Sequence, residues 1–241
     1  MPHAEGPIVD QERPADSPLV AKVRHVRYTA DAREMALPDG SWDLLFLRRG
    51  GGPLIAIQTG QIAAPLAVDG LAGDEMLAIA FKPEVYMPAL PGRLTFSRGV
   101  PRPVENDRSF WIGSERLEVP SYENVEQLVA ELCRKGLLER DPVVARALQG
   151  ARQRLDERSI QRHFAEVTGL GLKGFQQIAR AHEAAGLLRQ GQAASQVAAE
   201  LGFSDQAHLT HSLKRFLGHT PRQIAGQVDT RSGQSRAHAP R

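Results

Sequence analysis

Residues 193–226 constrain the fold of this chain more than any other stretch, because they hold two short helix patterns separated by a tight turn. Ala194 to Leu201 predicts the first helix. Gly202 ends it, since glycine takes the left-handed conformation beyond a helix without a Cβ penalty. The second helix is predicted from about Asp205 to Leu217. Two helices joined in this way form a helix-turn-helix, whose second helix can enter the major groove of DNA.

The predicted second helix is amphipathic. Ser204 or Asp205 can cap it by accepting a hydrogen bond from a free backbone N–H. Its apolar residues recur at helical spacing and are Leu209, Leu213, Phe216 and Leu217. Its outward face is polar and carries Gln206, Thr210, His211 and Lys214, with the small Ala207 among them. Gly218 stops the helix, and Thr220-Pro221 then predicts an N-cap followed by proline at the first helical position.

This stretch resembles the second helix-turn-helix of AraC/XylS-type transcription regulators. The matching residues are the Ala198 to Leu201 run, Gly202-Phe203-Ser204-Asp205, Leu209, Lys214, Phe216, Gly218 and Thr220-Pro221. The resemblance implies an all-α DNA-binding domain in which a connector helix joins two helix-turn-helix motifs.

A second block, Asp156 to Gly169, resembles the recognition helix of the first motif in that family. Its predicted cap is Asp156, its inward residues are Ile160, Phe164 and Val167, and its outward residues are Arg158, Gln161 and Arg162. The block departs from the family on both sides. The preceding helix offers Gly150, Arg152 and Arg154 in place of an apolar pattern, and Gly171-Leu172 replaces the customary Ser/Thr-Pro. The first motif is therefore expected to have a partly degenerate scaffold and an intact recognition face.

The resemblance also implies contact residues. The base-reading positions of the family fall on Arg158, Gln161, Arg162, Gln206, Ala207, Thr210 and His211. Arginine can bond guanine and glutamine can bond adenine through two hydrogen bonds each, while alanine can contact a thymine methyl. Phosphate contacts, which position a protein without reading sequence, are expected at Lys173, Arg180, Lys214 and Arg215. The pattern from Lys173 to Gln190 predicts the connector helix.

Charge is distributed unevenly along the chain. Residues 1–140 hold 16 Lys and Arg against 20 Asp and Glu, a net charge of −4, whereas residues 141–241 hold 14 against 8, a net charge of +6. An asymmetry of this kind favours a polyanion-binding C-terminal domain and a different task for the N-terminal domain.

The N-terminal part has the texture of a β-domain. Candidate strands are Leu19 to Tyr28, Trp42 to Arg48, Leu54 to Thr59, Gln61 to Val68 and Met76 to Lys82, with glycine and proline turns between them. Five prolines between Pro83 and Pro103 interrupt regular structure. An amphipathic helix follows from Ser121 to about Leu138, and its apolar stripe can pack on the β-domain or pair with a second chain.

These patterns together predict an α+β protein. A β-rich sandwich or barrel-like domain precedes an all-α domain with two helix-turn-helix motifs and a connector helix. The expected segments are a disordered leader (1–18), the β-rich regulatory domain (19–117), a linker helix (118–140), the DNA-binding domain (141–228) and a disordered tail (229–241). The N-terminal part resembles the N-terminal domain of some AraC-type regulators in two stretches, PDGSWDLLF and MLAIAFKP. This resemblance implies that the β-rich domain binds a small-molecule effector or mediates dimerisation. Five aromatic residues of this domain can either line a pocket or belong to the hydrophobic core: Trp42, Phe46, Phe81, Tyr86 and Trp111.

The sequence leads us to expect a transcription regulator rather than an enzyme. Residues 1–140 contain only His3 and His25 as histidines, so no His and carboxylate metal cluster is expected on the strands. No nucleophile motif is present, and neither a cofactor nor a metal is expected. No apolar run spans a membrane, and a cytoplasmic location is expected. The expected partners are operator DNA and, by family resemblance, RNA polymerase, a small-molecule effector and a second copy of the chain.

Two other classes of function stay open at this point. One is an interaction protein whose degenerate first motif leaves little specific DNA binding. The other is an enzyme domain fused to a DNA-binding tail.

Overall fold

The computed structural model describes residues 7–151 and 156–226. The chain divides into two compact units, one ending at Phe175 and one beginning at Gln176. The sequence placed the domain boundary at residue 141 instead. The first helices of the C-terminal region therefore belong to the same unit as the β-domain.

Thirteen strands and eight helices make up the described residues. The strands are β1 (Ile8–Arg13), β2 (Val20–Tyr28), β3 (Ala32–Ala36), β4 (Trp42–Arg48), β5 (Leu54–Thr59), β6 (Leu66–Gly70), β7 (Glu75–Phe81), β8 (Val85–Tyr86), β9 (Gly99–Arg102), β10 (Val104–Glu105), β11 (Ser109–Ile112), β12 (Glu115–Glu118) and β13 (Glu139–Arg140). The helices are α1 (Gly92–Thr95), α2 (Val125–Arg134), α3 (Pro142–Leu148), α4 (Glu157–Thr168), α5 (Leu172–Arg189), α6 (Ala194–Glu200), α7 (Gln206–Leu217) and α8 (Pro221–Gly226).

A six-stranded antiparallel sheet in the order β1-β2-β7-β4-β5-β9 forms the centre of the first unit. In β4 the buried residues Trp42, Leu44 and Phe46 alternate with half-buried ones, as the period of two along a strand requires. In β7 every residue from Leu77 to Phe81 is buried. Leu44, Ile79 and Phe81 are fully buried there. The predicted β-rich domain is thereby confirmed.

A second layer covers this buried face. It consists of the three-stranded sheet β10-β11-β12 and helix α2. Phe110 of β11 meets Phe46 of β4 edge to face, with ring centroids 5.0 Å apart. The apolar stripe of α2, Val125, Leu128, Val129 and Leu132, is buried in the same core. Of the two uses considered for this helix, its stripe therefore serves packing within the chain.

Several boundaries differ from the sequence-based predictions. Residues 8–13, which were expected in a disordered leader, form the edge strand β1 beside β2. The sequence did not predict this strand because its side chains are mostly polar, and an edge strand needs few apolar contacts. One of its polar contacts is an ion pair between Asp10 and Arg24 of β2, at 2.7 Å. The strand predicted from Gln61 begins only at Leu66. The proline-rich stretch contains the short elements β8, α1 and β9.

Helices α3 and α4 complete the first unit around a small core of their own. Val144, Ala147, Phe164 and Val167 are buried together. Tyr86 of β8 packs against this cluster, and β8 pairs with β13 just before α3. Hence the β-domain supplies part of the packing of the first helix pair.

The second unit contains most of α5 and all of α6, α7 and α8. Val197 of α6 and Leu209 and Leu213 of α7 are fully buried. Thr220 caps α8 by accepting from the Gln223 backbone N–H at 3.2 Å, and the Gln223 side chain accepts from the Thr220 N–H at 2.8 Å. This reciprocal pair is a capping box. No helix in the described residues is long and apolar enough to cross a membrane.

Candidate nucleic-acid interface

The two candidate recognition helices, α4 and α7, are built on the same local plan. Each has twelve residues, an aspartate N-cap and a left-handed glycine C-cap. Asp156 accepts from the Ser159 backbone N–H at 3.0 Å, and Asp205 accepts from the His208 N–H at 2.7 Å. The capping glycines have φ angles of 78° in α4 and 75° in α7. Asp205, rather than Ser204, is thus the N-cap of α7.

The caps also shift the titration of both aspartates. The Ser159 hydroxyl and backbone N–H hold the pKa of Asp156 below its usual range. The His208 N–H does the same to the pKa of Asp205. A carboxyl whose pKa is lower in the folded state stabilises the fold above its ordinary pKa, and this stabilisation is lost as pH falls through the lowered value.

Alignment on the two caps makes the helices equivalent residue by residue. The buried Phe164 and Leu213 occupy one equivalent position. On the outer face, Arg158, Gln161 and Arg162 of α4 correspond to Ala207, Thr210 and His211 of α7. The three equivalent positions on the outer faces of α4 and α7 therefore carry different side chains.

The outer face of α4 carries two free guanidinium groups. Arg158, Gln161 and Arg162 are all exposed. The Gln161 amide donates to the Glu157 carboxylate at 3.1 Å, so a carboxylate holds the amide along the helix axis. Arg158 and Arg162 form no ion pair with any described residue. The face thus presents two cations that can reach a base edge or a phosphate.

The outer face of α7 is less charged at its centre. Gln206, Ala207 and His211 are exposed, and Thr210 is partly buried. The Thr210 hydroxyl donates to the Gln206 carbonyl at 2.8 Å. Its donor is thereby engaged within the helix, which leaves its methyl group and an oxygen lone pair for any contact with a base.

The four residues predicted to contact phosphate lie in different settings. Lys173, Lys214 and Arg215 are exposed. Lys214 and Arg215 lie in the last turn of α7, where cations also stabilise the helix dipole. Arg180 instead lies over the Phe203 ring, 4.5 Å from its centroid, and its guanidinium donates to the Gly202 carbonyl at 3.5 Å. This stacking gives Arg180 a packing role at the turn between α6 and α7, which sequence reasoning missed.

Sequence reasoning also missed how α4 is held against the β-domain. Gly92 of α1 approaches the end of α4 so closely that an added Cβ would come within 3.0 Å of the Thr168 backbone. A Cβ on Gly169 would meet the Gly92 backbone in the same way. Arg93 pairs with Glu166 beside this contact. The sequence contains one signal of this contact, the dipeptide Pro91-Gly92 in the proline-rich stretch. This dipeptide indicates a turn, but it does not show which helix the turn contacts.

The five aromatic residues singled out in the sequence fall into two groups. Phe46 and Phe81 are buried core residues, and Trp111 is partly buried. Trp42 and Tyr86 line a small cavity between the β-domain and the end of α4. Within the described ranges, no group of three or more His, Cys, Asp or Glu side chains is placed to hold a metal ion.

Comparison with known proteins finds a family model that matches the C-terminal region. Residues 151–227 match the family model of a helix-turn-helix domain. No curated protein matches the chain. Two crystal structures of ToxT from Vibrio cholerae are similar to it at 10% sequence identity. One, at 1.65 Å resolution, has a TM-score of 0.41 and covers 90% of this chain and 97% of that chain. The other, from strain O395, has a TM-score of 0.40 and covers 92% and 98%.

The fold and the family match agree on the class of the C-terminal region. Two capped helix pairs follow a β-rich domain, and the match covers the second helix of the first pair and the whole of the second pair. The C-terminal region is an AraC-type helix-turn-helix domain, as the sequence predicted. A domain of this type supports a DNA-binding transcription regulator.

Proposed function

We propose that this protein binds operator DNA in a sequence-specific manner, with α4 and α7 in two successive major-groove segments. Arg158, Gln161 and Arg162 read bases from α4. Gln206, Ala207, Thr210 and His211 read bases from α7. Lys173, Lys214 and Arg215 contact phosphate. Arg180 stays a weaker candidate because it is only partly exposed and its guanidinium also donates to the Gly202 carbonyl.

The distribution of ion pairs supports this proposal most directly. In the β-domain, seven of the ten arginines from Arg24 to Arg116 form ion pairs within the described residues, as Arg24 does with Asp10 and Arg48 with Asp107. Beyond Glu166, no Lys or Arg forms an ion pair with a residue that the structure describes. Unmatched cations on a domain of net positive charge are what a polyanionic partner requires.

The β-domain has a regulatory role in this proposal, through effector binding or through dimerisation. The apolar stripe of α2 is already buried in the core of this domain, so it is not free to pair with a second chain. Effector binding is favoured by the cavity that Trp42 and Tyr86 line next to α4. Contact with RNA polymerase stays a prediction from the family.

The test is a gel-shift titration with random and genomic duplexes at two salt concentrations. We expect binding that weakens steeply with salt, because phosphate contacts release counterions. Absence of binding at low salt would contradict the proposal and favour an interaction protein.

Arg162→Ala tests the base-reading face within that assay. We expect it to cost about 1–3 kcal/mol of specific binding and little non-specific binding, because it removes a base contact and not the scaffold. Arg33→Ala is the matched control, since Arg33 is an equally exposed arginine that pairs with Asp69 in the β-domain. Unchanged specific affinity of Arg162→Ala would reject its assignment.

A further inference from the structure

A small cavity with a free volume of about 10 Å³, part of it open to solvent, lies where the β-domain meets the end of α4. Trp42, Tyr86, Met87 and Leu90 give it an apolar wall, and Val167 and Thr168 close it from α4. Among the described residues that line it, none carries a charge. The site therefore favours an uncharged occupant, because burying an unpaired charge is costly.

Gln61 is the unusual member of this lining. Its side chain is 1% exposed, and neither its Nε2 nor its Oε1 has a hydrogen-bond partner. Buried amides in native proteins are nearly always paired, so an orphaned donor and acceptor on one side chain need an explanation. A bound group that both accepts and donates would satisfy both atoms at once.

The other polar groups of the cavity are already engaged. The Trp42 indole N–H donates to a backbone carbonyl at 2.6 Å. The Tyr86 hydroxyl donates to a carboxylate at 3.1 Å. The one proton of the Thr168 hydroxyl is shared between the Phe164 carbonyl at 2.9 Å and the Leu170 carbonyl at 2.7 Å, and the hydroxyl accepts from the Leu170 N–H at 3.1 Å. Among these polar lining side chains, Gln61 alone has no hydrogen-bond partner in the described part of the chain.

The backbone holds Gln61 in place. Its carbonyl accepts from the Ser97 N–H at 2.9 Å, and the preceding Gly60 donates to the Arg98 carbonyl at 3.1 Å. Gly60 lies so close to Thr95 that a Cβ there would come within 3.0 Å of its backbone. The loop therefore has little freedom to turn Gln61 toward solvent.

We propose that this cavity binds a small uncharged molecule that carries a hydrogen-bond donor beside an acceptor, in the simplest case a primary amide. Its amide pairs with Gln61 and its apolar part lies against Trp42, Met87 and Leu90. The inference specifies the effector site of the proposed function and rests on it. Because Val167 and Thr168 belong to α4, occupation of the cavity bears directly on the end of the first recognition helix.

Size limits the ligand further. The space that is freely open measures about 10 Å³, which admits one water. A ligand of a few non-hydrogen atoms must therefore move the apolar wall slightly, and a larger one must separate α1 from α4. Ligands of the first kind are the appropriate probes.

Three probes of nearly equal shape test the proposal on the full-length protein. Propionamide offers a donor and an acceptor, 2-butanone offers an acceptor only, and propionate carries a charge. The readout is the side-chain amide resonance of Gln61 by NMR, identified by its absence in Gln61→Met. We expect a saturable shift with propionamide, with a Kd on the order of millimolar as befits so small a ligand. We expect binding at least about tenfold weaker for the other two probes, since each lacks a matched partner at Gln61.

Thermal unfolding gives an independent readout. Propionamide is expected to raise the Tm of the wild-type protein and to leave that of Gln61→Met unchanged. Without ligand, Gln61→Met is expected to unfold at the same or a higher temperature, because it removes an unpaired buried amide.

Two outcomes overturn the inference: no shift of the Gln61 resonance with any probe, as for a cavity that holds an ordered water only, or equal shifts with all three. Either result in a protein that binds DNA leaves the proposed function standing. A failure of DNA binding in the gel-shift assay would instead overturn the proposed function.

Discussion

The two helix-turn-helix motifs share a plan but differ in what holds them together. In α4 and α7, an aspartate cap, a twelve-residue helix and a left-handed glycine repeat almost without change. Around them the packing diverges. The α3–α4 pair shares its core with Tyr86 of the β-domain and meets Gly92 at its end. The α6–α7 pair lies in a unit of its own that begins at Gln176.

The helix before α4 is α3, and it buries an apolar face of its own, with Val144, Ala145 and Ala147. The β-domain adds to this packing through Tyr86. Because the β-domain packs against the first motif, a change in the β-domain can act on that motif directly. The following variants test this asymmetry.

Phe164→Ala has the largest expected effect. Phe164 is fully buried and meets Phe175 edge to face, with ring centroids 6.0 Å apart. Its truncation is expected to cost about 3–5 kcal/mol of unfolding free energy. Hydrogen exchange should accelerate in α3 and α4 and not in α6 and α7.

Leu213→Ala is the matched variant, because Leu213 is equally buried at the equivalent position of α7. Its expected cost is about 2–5 kcal/mol, with faster exchange confined to the second unit. Equal acceleration in both motifs for either variant would show that they unfold as one, against the division described above.

Gly92→Ala has the next largest expected effect on stability. The added methyl group meets the Thr168 backbone, and overpacking of this kind costs about 1–3 kcal/mol. We expect lower protection of α4 in hydrogen exchange and weaker specific DNA binding. Gly171→Ala is the control, since nothing lies within 4 Å of the position of its Cβ. Indistinguishable behaviour of the two variants would mean that the contact between α1 and α4 is not tight in solution.

Gly186→Ala has the smallest effect and the opposite sign. Gly186 lies inside α5 with open space around its Cβ position, so alanine is expected to add about 0.5–1 kcal/mol of stability. Denaturant unfolding measures the gain. A loss of stability would reveal a close approach at Gly186 that only glycine permits.

Local signals in the sequence predicted the recognition helices well. Asp156, Gly169 and Gly218 specify caps through their own backbone and side-chain chemistry, and the structure confirms all three. Strands β4 and β5 were predicted with their observed ends, because glycine and proline turn signals precede both apolar runs.

Features that depend on distant residues were not predictable. Strand β1 is polar and is recognisable only through its pairing with β2. Gly92 and Gly169 meet across a long separation in sequence, and no periodic pattern joins them. The stacking of Arg180 on Phe203 and the orphaned amide of Gln61 arise in the same way from tertiary packing.

Selection of bound duplexes from a random DNA pool tests most directly whether α4 and α7 both read the operator. We expect two separate blocks of specified bases for the wild-type protein, and loss of information in one block for Arg162→Ala while the other block stays intact. A single block in the wild-type protein that Arg162→Ala leaves unchanged would contradict the proposed function of α4, because α7 alone would then read the operator.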